Sequence, residues 1–233
     1  MTERGPDSLT EEATEAIRDA VNEIKPKLRG WLHLATWPLA FISFLVLLVL
    51  ADNVLVRAGA AVFMFSALAL FGVSAVYHTG RWSDRARTIW KRVDHATIFV
   101  LIAGSYTPFS LMLLPTRHAV TLLSVVWGGA LLGVLFRVFW LGAPRWMYVP
   151  LYLALGWAAV FYFPEFSQEA PTSVMVLLIV GGGLYTIGAL VYGFKWPDPW
   201  PTWYGFHEVF HTLTIAAFIV HYIGVSLLAY QKH

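Results

Sequence analysis

From Trp31 to Tyr230 the chain alternates long apolar blocks with short polar interruptions. Each block runs about 18 to 24 residues, the length needed to cross a hydrocarbon core of roughly 30 Å. Seven spans are predicted: Trp31–Leu50, Ala58–His78, Asp94–Leu114, Ala119–Phe136, Met147–Phe163, Ser173–Phe194 and Phe206–Tyr230. The fifth is short unless it tilts or extends. Pro108 and the Gly181-Gly182-Gly183 run lie inside spans, where they permit a kink or a close helix contact. Ahead of the first span, Ala13, Ala16, Ile17, Ala20, Val21 and Ile24 recur at helical spacing from Thr10 to about Lys25. Ser8 and Glu11 have the spacing of a capping box for this short amphipathic helix. The expected fold class is all-α, a seven-transmembrane helix bundle with a short N-terminal amphipathic helix. Its organisation is an N-terminal segment, 1–30, followed by a membrane domain, 31–230.

Composition supports the membrane reading. Of the 233 residues 58% are hydrophobic and 13% charged, with a mean hydropathy of +0.63, about half the charge share of a soluble domain. There are no cysteines, so thiolate ligands and disulfides are excluded. The polar first thirty residues do not read as a cleaved signal peptide, and the first span is expected to direct insertion. With the N-terminus inside, thirteen of the sixteen Lys and Arg residues fall on the inner side, among them Arg81, Arg85, Arg87, Arg137 and Arg145. Only Arg57, Arg117 and Lys232 fall outside. This bias predicts an inside N-terminus and an outside C-terminus in the cell's inner (plasma) membrane. Trp31, Trp82, Trp90, Trp140, Trp146, Trp196, Trp200 and Trp203 gather at the inner ends as an interfacial belt.

The candidate chemistry starts at His207-Glu208-Val209-Phe210-His211. Residues four apart share a helix face, so His207 and His211 can offer two imidazoles to one metal ion. The topology places two more polar groups at the same depth: His78 at the end of the second span and Asp94 at the start of the third. Ionisable groups inside a span face the bundle interior or a cavity. Three imidazoles with an open fourth position make a catalytic-type zinc site. Ser74, one turn before His78, shares its face. Asp94 reads either as an N-cap or as a carboxylate that orients a ligand or takes a proton from water. Glu208 is the competing base, with a bundle contact as its alternative. His33 and His95 are supporting candidates, Tyr77 and Ser105 to Pro108 candidate cavity residues, and His221 an interhelix hydrogen-bonding group. His118 and His233 are expected at the outer surface.

Three segments carry a resemblance: Ser74-Ala75-Val76-Tyr77-His78; Asp94-His95-Ala96-Thr97-Ile98 with Gly104-Ser105-Tyr106-Thr107-Pro108-Phe109; and Phe206-His207-Glu208-Val209-Phe210-His211, followed by His221. Through them the chain resembles the haemolysin III proteins, the bacterial branch of the progestin and adiponectin receptor family. The resemblance implies an inside N-terminus and zinc held by His78, His207 and His211, with Ser74 and Asp94 around the metal's water. It also implies kinship with membrane hydrolases such as the alkaline ceramidases. Receptor-branch members do not need a carboxylate where Glu208 stands, which argues against carrying over a protease mechanism.

The favoured expectation is a zinc-dependent hydrolase of membrane-lipid amide or ester bonds, with Asp94 as base and Ser74 assisting at the carbonyl oxygen. The alternatives are a non-catalytic seven-helix receptor or stress protein with structural zinc, and a haemolysin-like pore. A membrane lipid is the expected substrate or ligand. Neither nucleic acid nor an obligate protein partner is expected, and homo-oligomers are compatible with the sequence.

Overall fold

In the computed structural model, residues 26–230 are described. The Thr10–Lys25 helix expected from the sequence lies outside them. The described chain forms α1 (Trp31–Leu50), α2 (Val54–Thr79), α3 (Asp84–Leu113), α4 (Thr116–Phe139), α5 (Arg145–Gly156), a 3₁₀ segment (Ala158–Tyr162), α6 (Phe163–Glu169), α7 (Thr172–Phe194) and α8 (Phe206–Ala229). With α5, the 3₁₀ segment and α6 taken as one crossing, seven segments are long and apolar enough to span a membrane. The protein is a multi-pass helical membrane protein.

Local chemistry sets the helix starts. The Asn53 side chain accepts from the Leu55 N–H at 2.7 Å and caps α2. Pro115, Pro144 and Pro171 stand immediately before α4, α5 and α7. There a missing N–H interrupts no helical hydrogen bond. The largest departure from expectation is at α3. Ser83 caps it, so it begins ten residues before Asp94, and Asp94 is a buried interior residue about 15 Å along the helix. The N-cap reading of Asp94 is therefore excluded. Residues 84–93 are largely charged and exposed; an apolar-block boundary misses a helix that continues past the bilayer edge.

The fifth crossing is broken, which accounts for the short block in the sequence. A break inside a membrane frees backbone polar groups that lipid cannot satisfy. Tyr106 of α3 satisfies them. Its hydroxyl lies 2.5 Å from the Gly156 carbonyl and 3.3 Å from that of Leu155, and accepts from the Ala159 N–H at 3.0 Å. Ser105 and Thr107 bond backward to the Ile102 and Ala103 carbonyls, and Trp127 donates to Thr107 at 3.2 Å. Through Tyr106 and Thr107 this segment ties α3 to its neighbours, and none of its residues lines the cavity beside the histidines.

Helix α3 is the hub, packed against α2, α4, α5, α6 and α8, while α7 runs along α8. On α1 only a narrow stripe faces the bundle, His33, Ala40, Phe44 and Leu47, and Leu39, Ile42, Leu45, Val46 and Val49 are exposed for lipid. The buried stripe of α8 includes Glu208, His211, Thr214, Phe218, His221 and Val225, at the three-to-four spacing of one helix face. Phe44, Phe63, Phe71 and Phe218 meet edge to face or tilted and form the apolar floor between α1, α2 and α8.

Candidate metal centre

The site lies where α2 ends and α8 begins, with the interior of α3 alongside. Chain direction explains the convergence: α2 reaches this end of the bundle at its C-terminus, α8 starts there, and α3 returns from it. One donor atom each from His78, His207 and His211 lie within 4.8 Å of one another. The Nε2 atoms of His78 and His207 are 3.3 Å apart. Donors held 2.0–2.1 Å from a tetrahedral zinc stand roughly 3.3 Å apart, so this spacing fits such an ion. An all-imidazole set also suits zinc, and His211 Nδ1 is buried without a hydrogen-bond partner among the described residues. The ligand set draws on two helices.

Asp94 approaches from the third helix, its Oδ2 3.8 Å from His78 Nε2. Ser74, one turn before His78, faces the Asp94 carboxylate. Both line a cavity shared with His33, His95, Tyr192, His207 and His211. The cavity measures about 20 Å³, room for about one water or ion. An acyl chain does not fit in a space of that size. His33 is buried and stacks on His211, with ring centroids 3.9 Å apart and planes at 17°. Phe71 meets the other side of His33 edge-on. The stack fixes the plane of the His211 ring, which is the support expected of a residue behind a ligand.

Of the two readings of Glu208, competing base and bundle contact, its surroundings fit the second. It is fully buried, with Oε1 accepting from Arg29 Nε at 2.7 Å and Oε2 from the Gly205 N–H at 2.9 Å. The second contact caps α8, where a carboxylate also suits the positive end of the helix dipole. The first anchors the segment before α1, whose Lys27 and Leu28 N–H groups donate to the Thr202 and Trp203 carbonyls. Glu208 therefore ties two chain segments together at the site end. Of the other histidines, His233 lies outside the described residues. His118 pairs with Glu165 at 3.4 Å, and His221 packs edge-on to Phe109 and Tyr185 with its imidazole at the Leu178 backbone of α7, the interhelix partner expected of it. Tyr77 packs beside His78.

Sequence reasoning missed Arg137 and Tyr192. Arg137 reads as a loop-flanking positive charge, yet it is 1% exposed and its Nη2 lies 2.5 Å from His95 Nδ1. Its one signal is a lone charge inside the apolar run Val134 to Phe139. Tyr192 sits on α7, in a block that otherwise reads as plain lipid-facing helix.

Comparison with known proteins identifies the family of the chain. The family model described as "Haemolysin-III related" matches residues 21–222. A hemolysin-3 homolog of Bacillus subtilis (strain 168) is 33% identical over 134 residues, 58% of this chain and 62% of that protein. Hemolysin-3 of Bacillus cereus is 32% identical over 100 residues, 43% of this chain and 46% of that one. The adiponectin receptor protein of Drosophila melanogaster is 30% identical over 191 residues, 73% of this chain and 42% of the receptor. In each pairing the match spans less than two thirds of the relative. With six-sevenths of its length inside the family model and the seven crossings in place, the chain belongs to the haemolysin III family, within the progestin and adiponectin receptor proteins.

Proposed function

We propose that this protein is a zinc-dependent hydrolase of amide or ester bonds in membrane lipids, with the site at the cytoplasmic leaflet and the N-terminus inside. The observation that carries the reading is the cluster of three imidazoles with a buried carboxylate 3.8 Å from one of them and a serine beside it. His78, His207 and His211 hold the ion. Zinc, when bound, supplies the Lewis acidity that polarises a carbonyl and makes water acidic near neutral pH.

The remaining work belongs to the side chains. Asp94, without an arginine or lysine partner among the described residues, accepts the proton that water loses and returns it to the leaving amine or alcohol. Ser74 donates its hydroxyl hydrogen to the substrate's carbonyl oxygen as negative charge develops there. Leu70, Ile98 and Phe210 give the cavity an apolar wall that limits water. Glu208 is assigned no proton transfer, because both its oxygens are engaged by Arg29 and Gly205.

The experiment combines metal content and turnover in detergent-purified protein. About one zinc per chain is expected in the wild type, with a clear loss in His211→Ala. Asp94→Asn is expected to keep its zinc and lose about 10²–10⁴-fold in hydrolysis of N-acyl and O-acyl lipids. Wild-type turnover in zinc-loaded Asp94→Asn removes Asp94 from the mechanism. A zinc-loaded wild type that cleaves none of these lipids leaves the ion a structural clamp between α2 and α8.

A further inference from the structure

Arg137 is the largest fully buried side chain among the described residues. Among the described residues its Nε and Nη1 have no hydrogen-bond partner, and no carboxylate pairs with it. Its guanidinium lies over the Tyr148 ring, 4.2 Å from the centroid, and its Nη2 meets His95 Nδ1 at 2.5 Å. A buried unpaired cation at membrane depth is costly and marks function by default. Arg137 does not line the cavity, but His95 does.

The direction of the contact is fixed by chemistry. A guanidinium only donates hydrogen bonds and does not lose its proton in a protein. His95 Nδ1 must therefore accept, and a neutral imidazole that accepts at Nδ1 carries its proton at Nε2. Protonating Nδ1 as well would set two donors and two positive charges face to face. The Nε2 atom is 3.3 Å from the Tyr192 hydroxyl, and Tyr192 lies 3.3 Å from the Tyr148 hydroxyl. With His95 donating, the Tyr192 oxygen accepts, and its own hydrogen is free to turn toward Tyr148 or into the cavity. The Tyr152 hydroxyl holds the His95 backbone carbonyl at 3.1 Å, which fixes the base of the ring.

We propose that Arg137 is a positioning residue acting through His95: it locks His95 as the Nε2–H tautomer, so the imidazole meets the cavity as a neutral hydrogen-bond donor for a substrate oxygen, directly or through Tyr192, and is unavailable as a base. This deepens the hydrolase reading, on which its substrate half rests, by leaving Asp94 as the proton acceptor beside the three ligands. The tautomer itself does not depend on that reading.

The test joins a spectroscopic arm to a kinetic one. In protein carrying ¹⁵N-histidine, the signals that vanish in His95→Gln belong to His95. Expected are a bare Nδ1 and a protonated Nε2 in the wild type, and a mixture of both tautomers in Arg137→Met. Zinc content close to wild type in each variant serves as the check on folding. A protonated Nδ1 in the wild type overturns the proposal, as does an unchanged tautomer in zinc-loaded Arg137→Met. Should Arg137→Met fail to fold, the wild-type spectrum still decides. In the kinetic arm, His95→Gln places an amide donor where Nε2–H stood, and His95→Asn places it nearer Nδ1. The glutamine variant is expected within about tenfold of wild-type hydrolysis and the asparagine variant about a hundredfold below it. Equal losses in the two overturn the donor role. A wild type with no hydrolysis fails the hydrolase reading and, with it, the substrate half of the proposal, while the tautomer stands or falls on the spectra alone.

Discussion

Two carboxylates near three histidines have opposite fates, and the difference lies in what touches their oxygens. Asp94 lines the cavity and points its Oδ2 toward His78; Glu208 is sealed between a guanidinium and a backbone N–H. Glu208→Gln is therefore expected to leave zinc content intact and hydrolysis within a few-fold of wild type. It removes a charge-assisted bond to a largely buried arginine, a loss of about 1.5–3 kcal/mol, read as a lower midpoint in thermal unfolding. A variant as stable as wild type but inactive would move the base from Asp94 to Glu208. The H-E-x-x-H spelling alone does not distinguish these outcomes. It specifies the helix face of two imidazoles, and the residue between them is claimed by Arg29, 179 positions earlier.

At the scale of elements, the helices meet closely where a side chain is missing. A Cβ on Gly59 of α2 would stand 2.7 Å from Pro108 Cα of α3; backbone lies opposite, so relief requires a helix shift. Gly59→Ala is expected to destabilise the fold by about 1–3 kcal/mol. The glycine run of α7 divides in the same way. A Cβ on Gly181 would run into the His221 ring, and one on Gly182 meets nothing within 4 Å. Gly182→Ala is expected to be neutral or to stabilise by up to about 1 kcal/mol through helix propensity. Thermal unfolding of the two alanine variants in one detergent checks both, and equal midpoints would show that α2 and α3 are not locked at Gly59. The sequence marked Pro108 and the glycine run as contact points but not which glycine makes the contact. That depends on the rotation of each helix about its own axis, and neighbours set that rotation.

At the scale of the whole molecule, orientation is the property that composition controls. Moving Arg137 from loop to interior lowers the inner-side excess by one and leaves the bias intact. The chain has no cysteine, so single cysteines at exposed positions report sidedness without background. In intact cells, an impermeant maleimide is expected to label Asp52→Cys, between α1 and α2. Arg85→Cys, near the start of α3, is expected to label only after permeabilisation. The reverse pattern would place the histidine cluster at the outer leaflet and remove a cytoplasmic-leaflet substrate.

What the sequence determined by itself follows from the membrane. Bilayer thickness makes each crossing a long apolar block, so the count of seven is legible. Strict alternation of direction then puts the end of α2, the first third of α3 and the start of α8 on one side of the membrane. The spacing of His207 and His211 is a local helical fact, readable for the same reason. Tertiary structure decided everything that turns on where a side chain points. It gave Glu208 to Arg29, put Asp94 inside a helix, set Tyr106 across the broken crossing, and buried Arg137 against His95. These contacts join segments 42 to 179 residues apart. They depend on how each helix is rotated and how deep it sits against its neighbours, which packing fixes and no local pattern encodes.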